Sequence, residues 1–245
     1  MAIVQSSYIP WKGYFELIRR ADHFILYDDA QFTRRDWRSR NRIKTKDGLQ
    51  WLSIPVEVRG RRTQRVRDVR VADPSWARRH WQRISSAYER ADHFAAYRDA
   101  IEDVYGRATS PWLSEINRQF IDAICACMGI ATPLSWSSDY SLATGTSERL
   151  LDLCRQEGAA VYLSGPRARA YLDVSLFAEA GIEVRFIDYS GYPEYPQIYP
   201  PFEHTVSALD LIFNTGPDAP KYLLPSEPRR DFADVGGLAQ NLGGG

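Results

Sequence analysis

Short apolar runs alternate with helix-like stripes along most of the chain. Residues 3–4 and 24–27 are apolar runs that stop at polar side chains, and residues 15–18 between them have helical spacing. The predicted strands are residues 3–4, 24–27, 49–58, 134–136, 161–164 and 184–188. Strands that alternate with helices are typical of a parallel sheet. The pattern therefore predicts an α/β protein with a Rossmann-like, mostly parallel sheet.

A helical insertion interrupts this alternation at about residues 74–130. Asp73-Pro74 has the composition of a helix start, and helices are predicted at residues 76–90, 93–105 and 111–128. The later predicted helices are residues 147–157, 172–180 and 207–213. We predict one domain over residues 1–224. The proline, glycine and charge content of residues 225–245 predicts that they form a flexible tail.

Composition narrows the classes of function. The 245-residue chain has 31 basic and 31 acidic residues, so its net charge predicts neither a nucleic-acid partner nor a membrane surface. No apolar run is long enough to span a bilayer, and the first residues do not resemble a signal peptide. Cys125, Cys127 and Cys154 lack metal-binding spacing and are predicted to be free thiols. We expect a soluble, cytoplasmic protein without a bound metal, and the oligomeric state stays open.

The first candidate site follows the second predicted strand. Asp28 and Asp29, with Gln31 close behind, lie where ligands bind in parallel sheets, at the carboxyl ends of strands. A carboxylate there can orient an amine or accept its proton. A helix cap, or a partner for an arginine such as Arg34, explains the pair equally well.

The basic run over residues 34–46 is the second candidate. Arg40 and Arg42 flank Asn41, and arginine binds phosphate or carboxylate through two parallel hydrogen bonds. Most charge runs are solvated surfaces. This run follows a predicted strand end and contains Trp37, so we favour anion binding.

Polar residues also follow the other predicted strands. Ser164 begins a turn of small residues. We interpret it as an ordinary tight turn rather than as an anion site. Residues 188–204 form an aromatic and proline-rich loop that either lines a sugar or nucleobase pocket or covers the sheet as a rigid loop. His204, near Asp210 in sequence, is a candidate base, although a lone histidine is more often structural.

We expect Gln5, Asp28, Ser164 and Asp188 to surround one cleft. The predicted catalytic residues are Asp28, Asp29 and His204, and the predicted substrate-binding residues are Gln5, Ser7, Tyr8, Trp11, Gln31, Arg40, Asn41, Arg42, Ser164, Asp188, Tyr192 and Gln197.

Five segments carry a resemblance to a known family. They are QSSYIPWKGYF, ADHFILYDDAQFTRRDWRSRNRIKT, WLSIPVEV, YLSGPRARAYLD and DYSGYPEYPQIYPPFEHTVSALDLIFNTGP. Together they resemble the WbqC-like family from Ile3 to Pro217. The resemblance implies a gene cluster for a surface polysaccharide or a specialised metabolite, and a glycine or aminoacyl transferase. The family commonly has histidine before the first glutamine, whereas this chain has Val4, so a mechanism that needs that histidine does not carry over.

Three hypotheses result. The first is an amino-acyl or acyl transferase, or an amide-forming enzyme, that acts on an amino sugar or metabolite intermediate with a carrier-bound or nucleotide-activated donor. In it, the arginines hold an anionic group, the Asp28-Asp29 pair orients the amine, and the aromatic loop covers the acceptor. The second is a non-catalytic binding or scaffold protein. The third is a nucleotide-dependent enzyme that forms adenylates or transfers nucleotides, for which a nucleotide is the candidate cofactor; its support is fold-level analogy.

Overall fold

A computed structural model describes residues 1–61 and 63–223. The strands are β1 (Ala2–Val4), β2 (Phe24–Leu26), β3 (Arg40–Thr45), β4 (Gly48–Ser53), β5 (Leu134–Trp136), β6 (Val161–Ser164) and β7 (Glu183–Phe186). The helices are α1 (Lys12–Arg20), α2 (Trp76–Tyr88), α3 (Phe94–Arg107), α4 (Leu113–Cys127), α5 (Ser147–Gln156), α6 (Val174–Glu179) and α7 (Ala208–Thr215). The predicted tail, residues 225–245, lies outside the described residues.

Five strands form a parallel sheet in the order β5-β2-β1-β6-β7. This arrangement confirms the predicted Rossmann-like α/β fold. The chain proceeds from β1 outward through β2 to β5, and then returns to the other side of β1 with β6. The carboxyl ends of β1 and β6 therefore flank the point where the strand order reverses, which is where open α/β sheets bind ligands.

Alternating residues of the central strands face two apolar layers. Ala2, Phe24 and Leu26 belong to a core that includes residues of α1, α4 and α7. Ile3 and Ile25 face the other side and pack with residues of α5 and α6. Because β1 and β2 are covered on both faces, their sequences read as continuous apolar runs rather than as alternating patterns.

The predicted helical insertion is confirmed as α2, α3 and α4, between β2 and β5. In α4, residues Ile116, Phe120, Ile121 and Ile124 recur at helical spacing and are fully buried. This stripe packs the insertion against the sheet domain. Within the described part of the chain, no helix is both long and apolar enough to cross a bilayer.

The hairpin of β3 and β4 is a correction to the predicted elements. Residues 40–45 were expected to be part of an anion-binding run, and residues 49–58 a single strand. Instead, β3 and β4 pair antiparallel across a turn that ends at Gly48, whose φ of +100° suits glycine. Asn41 and Ile43 point into the core while Arg40 and Arg42 point outward. Asn41 is polar although it faces inward, and Lys44 is buried, so the alternation of apolar and polar residues that identifies a strand is missing.

Candidate functional site

Asp28 lies just beyond the carboxyl end of β2 and is only 2% exposed. Its Oδ1 accepts a hydrogen bond from the backbone N–H of Ser6 (2.8 Å), and its Oδ2 accepts the hydroxyl of Ser114. Burial raises the pKa of Asp28, and these hydrogen bonds and Arg38 partly offset that effect. The carboxyl group is therefore a better proton acceptor than an exposed aspartate.

Asp29 is held in an ion-pair and hydrogen-bond network within the fold. Arg65 and Arg67 lie 3.3 and 3.1 Å from its Oδ1, and the Ser137 hydroxyl donates to its Oδ2 at 2.8 Å. Arg34, the partner considered from the sequence, donates instead to a backbone carbonyl. Both arginines that pair with Asp29 lie in the segment after β4. The spacing of residues in the sequence does not reveal these contacts.

A cleft of about 420 Å³ lies beside these two aspartates. Its lining residues are Arg67, Asp68, Trp112, Ser114, Glu115, Trp136 and Ser138. Ser114 links the cleft to Asp28 through its hydroxyl. Sequence reasoning missed this residue, because it lies at the start of α4 and 86 positions from Asp28. The polar residues that follow Trp136 at the end of β5 could have indicated the cleft, because ligands bind beyond the carboxyl ends of parallel strands.

Gln5 and Ser7 lie after β1, beside the point where the strand order reverses. Arg38 joins them, because its Nε donates to Gln5 Oε1 (2.7 Å) and one terminal nitrogen donates to Ser7 Oγ (2.6 Å). Ser164 ends the neighbouring strand β6 and is buried. The structure thus brings these predicted residues to adjacent strand ends and adds Arg38 to them.

Tyr8 and Asn41 lie in the interior. Tyr8 is fully buried, and its hydroxyl is 2.8 Å from His80 Nδ1 and 2.6 Å from the Tyr105 hydroxyl. Asn41 Nδ2 donates to the carbonyls of Tyr8 (3.3 Å) and Ile9 (2.8 Å). Ile9 has a φ of +36°, a conformation that a β-branched residue rarely adopts. Asn41 therefore positions the loop after β1.

Arg40 and Arg42 lie on the outward face of the hairpin. The Arg40 guanidinium is 4.1 Å from the centre of the Trp51 ring, and Trp37 packs against the same indole at 5.4 Å. Arg42 donates to the Thr205 carbonyl at 3.1 Å. The Nε atoms of both arginines are buried and make no hydrogen bond within the described residues. The structure therefore assigns no hydrogen-bond partner to these two donors.

Asp188 and Asp28 do not converge. Asp188 follows the edge strand β7, is exposed and caps its own turn through Ser190. Three strand spacings, about 14 Å, separate β7 from β2 in the sheet. Gln31 is exposed and pairs through its backbone with Arg65. Asp188 therefore lies apart from Asp28, contrary to the expectation that both would surround one cleft with Gln5 and Ser164.

The aromatic loop after β7 packs on the first turn of α1. Trp11 makes edge contacts with Tyr189 (5.1 Å between ring centres) and Tyr192 (5.9 Å). Further along the loop, Gln197 accepts a hydrogen bond from Lys44 Nζ at 3.0 Å. The loop thus covers α1 and reaches the hairpin.

His204 does not form the expected pair with Asp210. Gln197 and two tyrosine hydroxyls donate to the Asp210 carboxylate, which is buried. Burial and the nearby positive charge of Lys12 lower the pKa of His204. Its Nδ1 is buried without a hydrogen-bond partner among the described residues.

The cysteines are free thiols. Cys125 and Cys154 are buried free thiols, and burial raises the pKa of each to about 12. Among the residues that the structure describes, no group of three or more His, Cys, Asp or Glu side chains is arranged to hold a metal ion.

The parallel sheet and the cleft at its carboxyl edge define a Rossmann-like α/β protein with a cleft of the size of small-molecule sites. This chain belongs to the WbqC-like protein family, whose model matches residues 5–222, as the sequence motifs predicted. It is 49% identical over 223 residues to the uncharacterized protein Rv1507c of Mycobacterium tuberculosis. That alignment covers 91% of this chain and 96% of the relative. No solved structure matches the chain.

Proposed function

We propose that this protein joins an amino-acyl or other small acyl group to an amine, on an amino sugar or a specialised-metabolite intermediate. It would act as a transferase or an amide-forming enzyme with a carrier-bound or nucleotide-activated donor. The observation that carries the proposal is the hydrogen bond from the Ser114 hydroxyl to Asp28 at the wall of the cleft.

An amine must lose a proton before or as it attacks an acyl carbon, and a positioned carboxylate is suited to accept that proton. In the proposed reaction the amine donates a proton to Ser114 Oγ while Ser114 passes its own proton to Asp28. The amine nitrogen forms a bond to the acyl carbon, and the leaving group departs with the electron pair of its broken bond. The raised pKa of Asp28 supports this role, since burial favours the protonated product of the transfer.

The other walls of the cleft supply recognition. Trp112 and Trp136 offer indole surfaces on which a sugar ring or a nucleobase can stack. Arg67 offers charge-assisted hydrogen bonds to an anionic donor group, although it also pairs with Asp29. These residues suit an uncharged ring that carries an amine, next to an activated acyl donor.

The experiment begins with a thermal-shift screen of nucleotides, sugar nucleotides, amino acids and acyl carriers. Pairs that bind are incubated with and without ATP, and new amides are detected by mass spectrometry. ATP is varied because the sequence also suggested an adenylate-forming or nucleotidyl-transfer enzyme. Amide formation in the wild-type protein is the expected result.

Two serine variants make the test specific to the proton route. Ser114→Ala should lower turnover about 100-fold, the scale of general acid–base catalysis, because the relay to Asp28 is lost. Ser138 also lines the cleft, so Ser138→Ala is the matched control and should retain turnover. Equal activity of the two variants would refute the relay.

A second candidate, a non-catalytic binding or scaffold protein, has its own supporting observation. Both oxygens of Asp28 and both oxygens of Asp29 already have partners inside the protein. Carboxylates arranged in this way can serve folding alone. Ligands that bind without forming a product in any pairing, with Asp28→Asn binding normally, would favour this function.

A further inference from the structure

Lys12, the first residue of α1, is a buried cation. It is 2% exposed, and its Nζ donates to the Pro193 carbonyl at 3.2 Å. The ring faces of Tyr192 and Tyr195 lie 4.6 and 5.2 Å from that nitrogen. Burial lowers the pKa of Lys12 to about 8, although Asp210 partly offsets this effect. Burying an ammonium group costs free energy when no carboxylate pairs with it. The groups around Lys12 therefore indicate whether a ligand completes the site.

Three of the nearby acidic groups are engaged elsewhere, and a fourth, Glu194 beside His204, is exposed to solvent. Asp210 accepts hydrogen bonds from two tyrosines and a glutamine. Glu16, one turn along α1, pairs with Arg19 and Arg20. Glu203 accepts the backbone N–H of Thr205 at 2.8 Å. Within the described ranges, no carboxylate forms an ion pair with Lys12.

Two more potential donors near Lys12 lack an acceptor. The Tyr192 hydroxyl is buried without a hydrogen bond in the described structure, and the residue is 8% exposed. His204 Nδ1 is likewise buried and unpartnered, and the charge of Lys12 lowers the pKa of this histidine, as expected for neighbours. A buried polar atom without a partner costs about 1–3 kcal/mol, and a bound ligand can recover that cost.

The position in the fold favours an anion as the ligand. α1 follows β1, so its first turn lies at the carboxyl edge of the sheet, and no side chain caps it. The N-terminal end of a helix carries partial positive charge and N–H groups that lack partners within the helix, both of which attract anions. Lys12 adds a full positive charge at the same place.

We propose that Lys12, Tyr192 and His204 form an anion-binding subsite that takes a carboxylate or phosphate group of a ligand. His204 is partly exposed, so the anion approaches from its side of the loop. The cleft beside Asp28 plays no part in this inference, and the test requires no turnover. Either proposal can therefore fail without the other.

The experiment titrates the full-length protein with inorganic phosphate and, separately, with acetate by calorimetry at pH 7 and constant ionic strength. Saturable binding of at least one anion is expected, and the better ligand identifies a phosphoryl or a carboxylate group. Tyr192→Phe should weaken that anion roughly tenfold, the scale of a charge-assisted hydrogen bond. Lys12→Met should weaken it further.

Tyr189→Phe is the matched control. Tyr189 stacks on Tyr192 in the same loop, so the control makes the same chemical change next to the subsite. It should keep the wild-type affinity. Tyr192→Phe should also remain folded, since the lost hydroxyl has no partner in the described structure, and it therefore decides the outcome even if Lys12→Met fails to fold.

Two results would overturn the subsite. One is the absence of saturable binding of either anion to the wild-type protein. The other is a Tyr192→Phe variant that binds as well as wild type, or no worse than Tyr189→Phe. In that case Lys12 would only hold the loop through the Pro193 carbonyl.

Discussion

At the residue scale, Gly13 illustrates how tightly the first turn of α1 is packed. A Cβ atom built on Gly13 would lie 2.3 Å from the Trp11 ring. The indole folds over this glycine and contacts Tyr189 and Tyr192 of the aromatic loop. A side chain at this position would therefore displace both the indole and the loop that rests on it.

Gly13→Ala should lower the free energy of unfolding by about 1–3 kcal/mol, the usual cost of overpacking. Gly106→Ala in α3 is the matched control, because a Cβ there meets nothing within 4 Å. The control should raise stability by about 0.5–1 kcal/mol, since alanine favours a helix. Chemical denaturation of the two variants measures both effects. A Gly13→Ala protein as stable as wild type would contradict the packing argument.

Asn41, on β3, holds the buried loop after β1 in place. Asn41 was predicted to bind substrate, and the structure shows it holding the Tyr8 and Ile9 carbonyls. Its amide satisfies two buried acceptors and restrains a backbone with positive φ. We expect it to affect a ligand by positioning this loop.

At the element scale, the hairpin of β3 and β4 has two different faces. The inward face carries Ile43 and Leu52, both fully buried. The outward face carries Arg40 and Arg42 against Trp51, which is 41% exposed. The inward face therefore serves folding, while the outward face is partly exposed and stays a predicted ligand surface.

Replacing Arg40 with alanine should affect an anionic ligand more than the fold. The exposed contact with Trp51 contributes about 0.5–1 kcal/mol to stability. Loss of a charge-assisted hydrogen bond should weaken the ligand by about 1–3 kcal/mol. Titration with a ligand from the screen, together with thermal unfolding, separates the two effects. Unchanged affinity with a large loss of melting temperature would make Arg40 structural; the same test applies to Arg42.

At the scale of the whole molecule, a buried polar network joins the insertion to the sheet. The Tyr8 hydroxyl, from the loop after β1, contacts His80 on α2 and Tyr105 on α3. Burial lowers the pKa of His80 to about 4, and the charges of Arg83 and Arg79 contribute. The histidine is therefore neutral in the folded protein at neutral pH.

This network predicts acid sensitivity of the whole fold. In the unfolded chain the histidine takes up a proton near pH 6.5, whereas in the folded protein it does so only near pH 4. As the pH falls from 6.5 to 4, the unfolded state binds more protons, so stability falls, by up to about 3 kcal/mol from this residue. Chemical denaturation across this range should show a smaller loss for His80→Gln. Parallel curves for the two proteins would show that His80 does not contribute.

Local sequence determined the strands of the parallel sheet and the polar residues that follow them at its carboxyl edge. The apolar runs at β1, β2 and β6 each end in polar residues, and burial on both faces demands such runs in a parallel sheet. The position of Asp28 at a carboxyl edge follows from this pattern alone. The β3 strand did not follow from it, because the inward-facing Asn41 and the buried Lys44 break the alternation of apolar and polar residues.

Tertiary structure alone decided which of these polar residues meet. Ser114 reaches Asp28 across 86 positions of sequence, and Asp29 pairs with arginines beyond the hairpin. Lys12 reads as an ordinary helix residue in the sequence, yet the aromatic loop after β7 buries it. Periodicity records only whether a side chain faces the core. The partners of a buried polar group depend on how distant elements pack, and no local pattern specifies them.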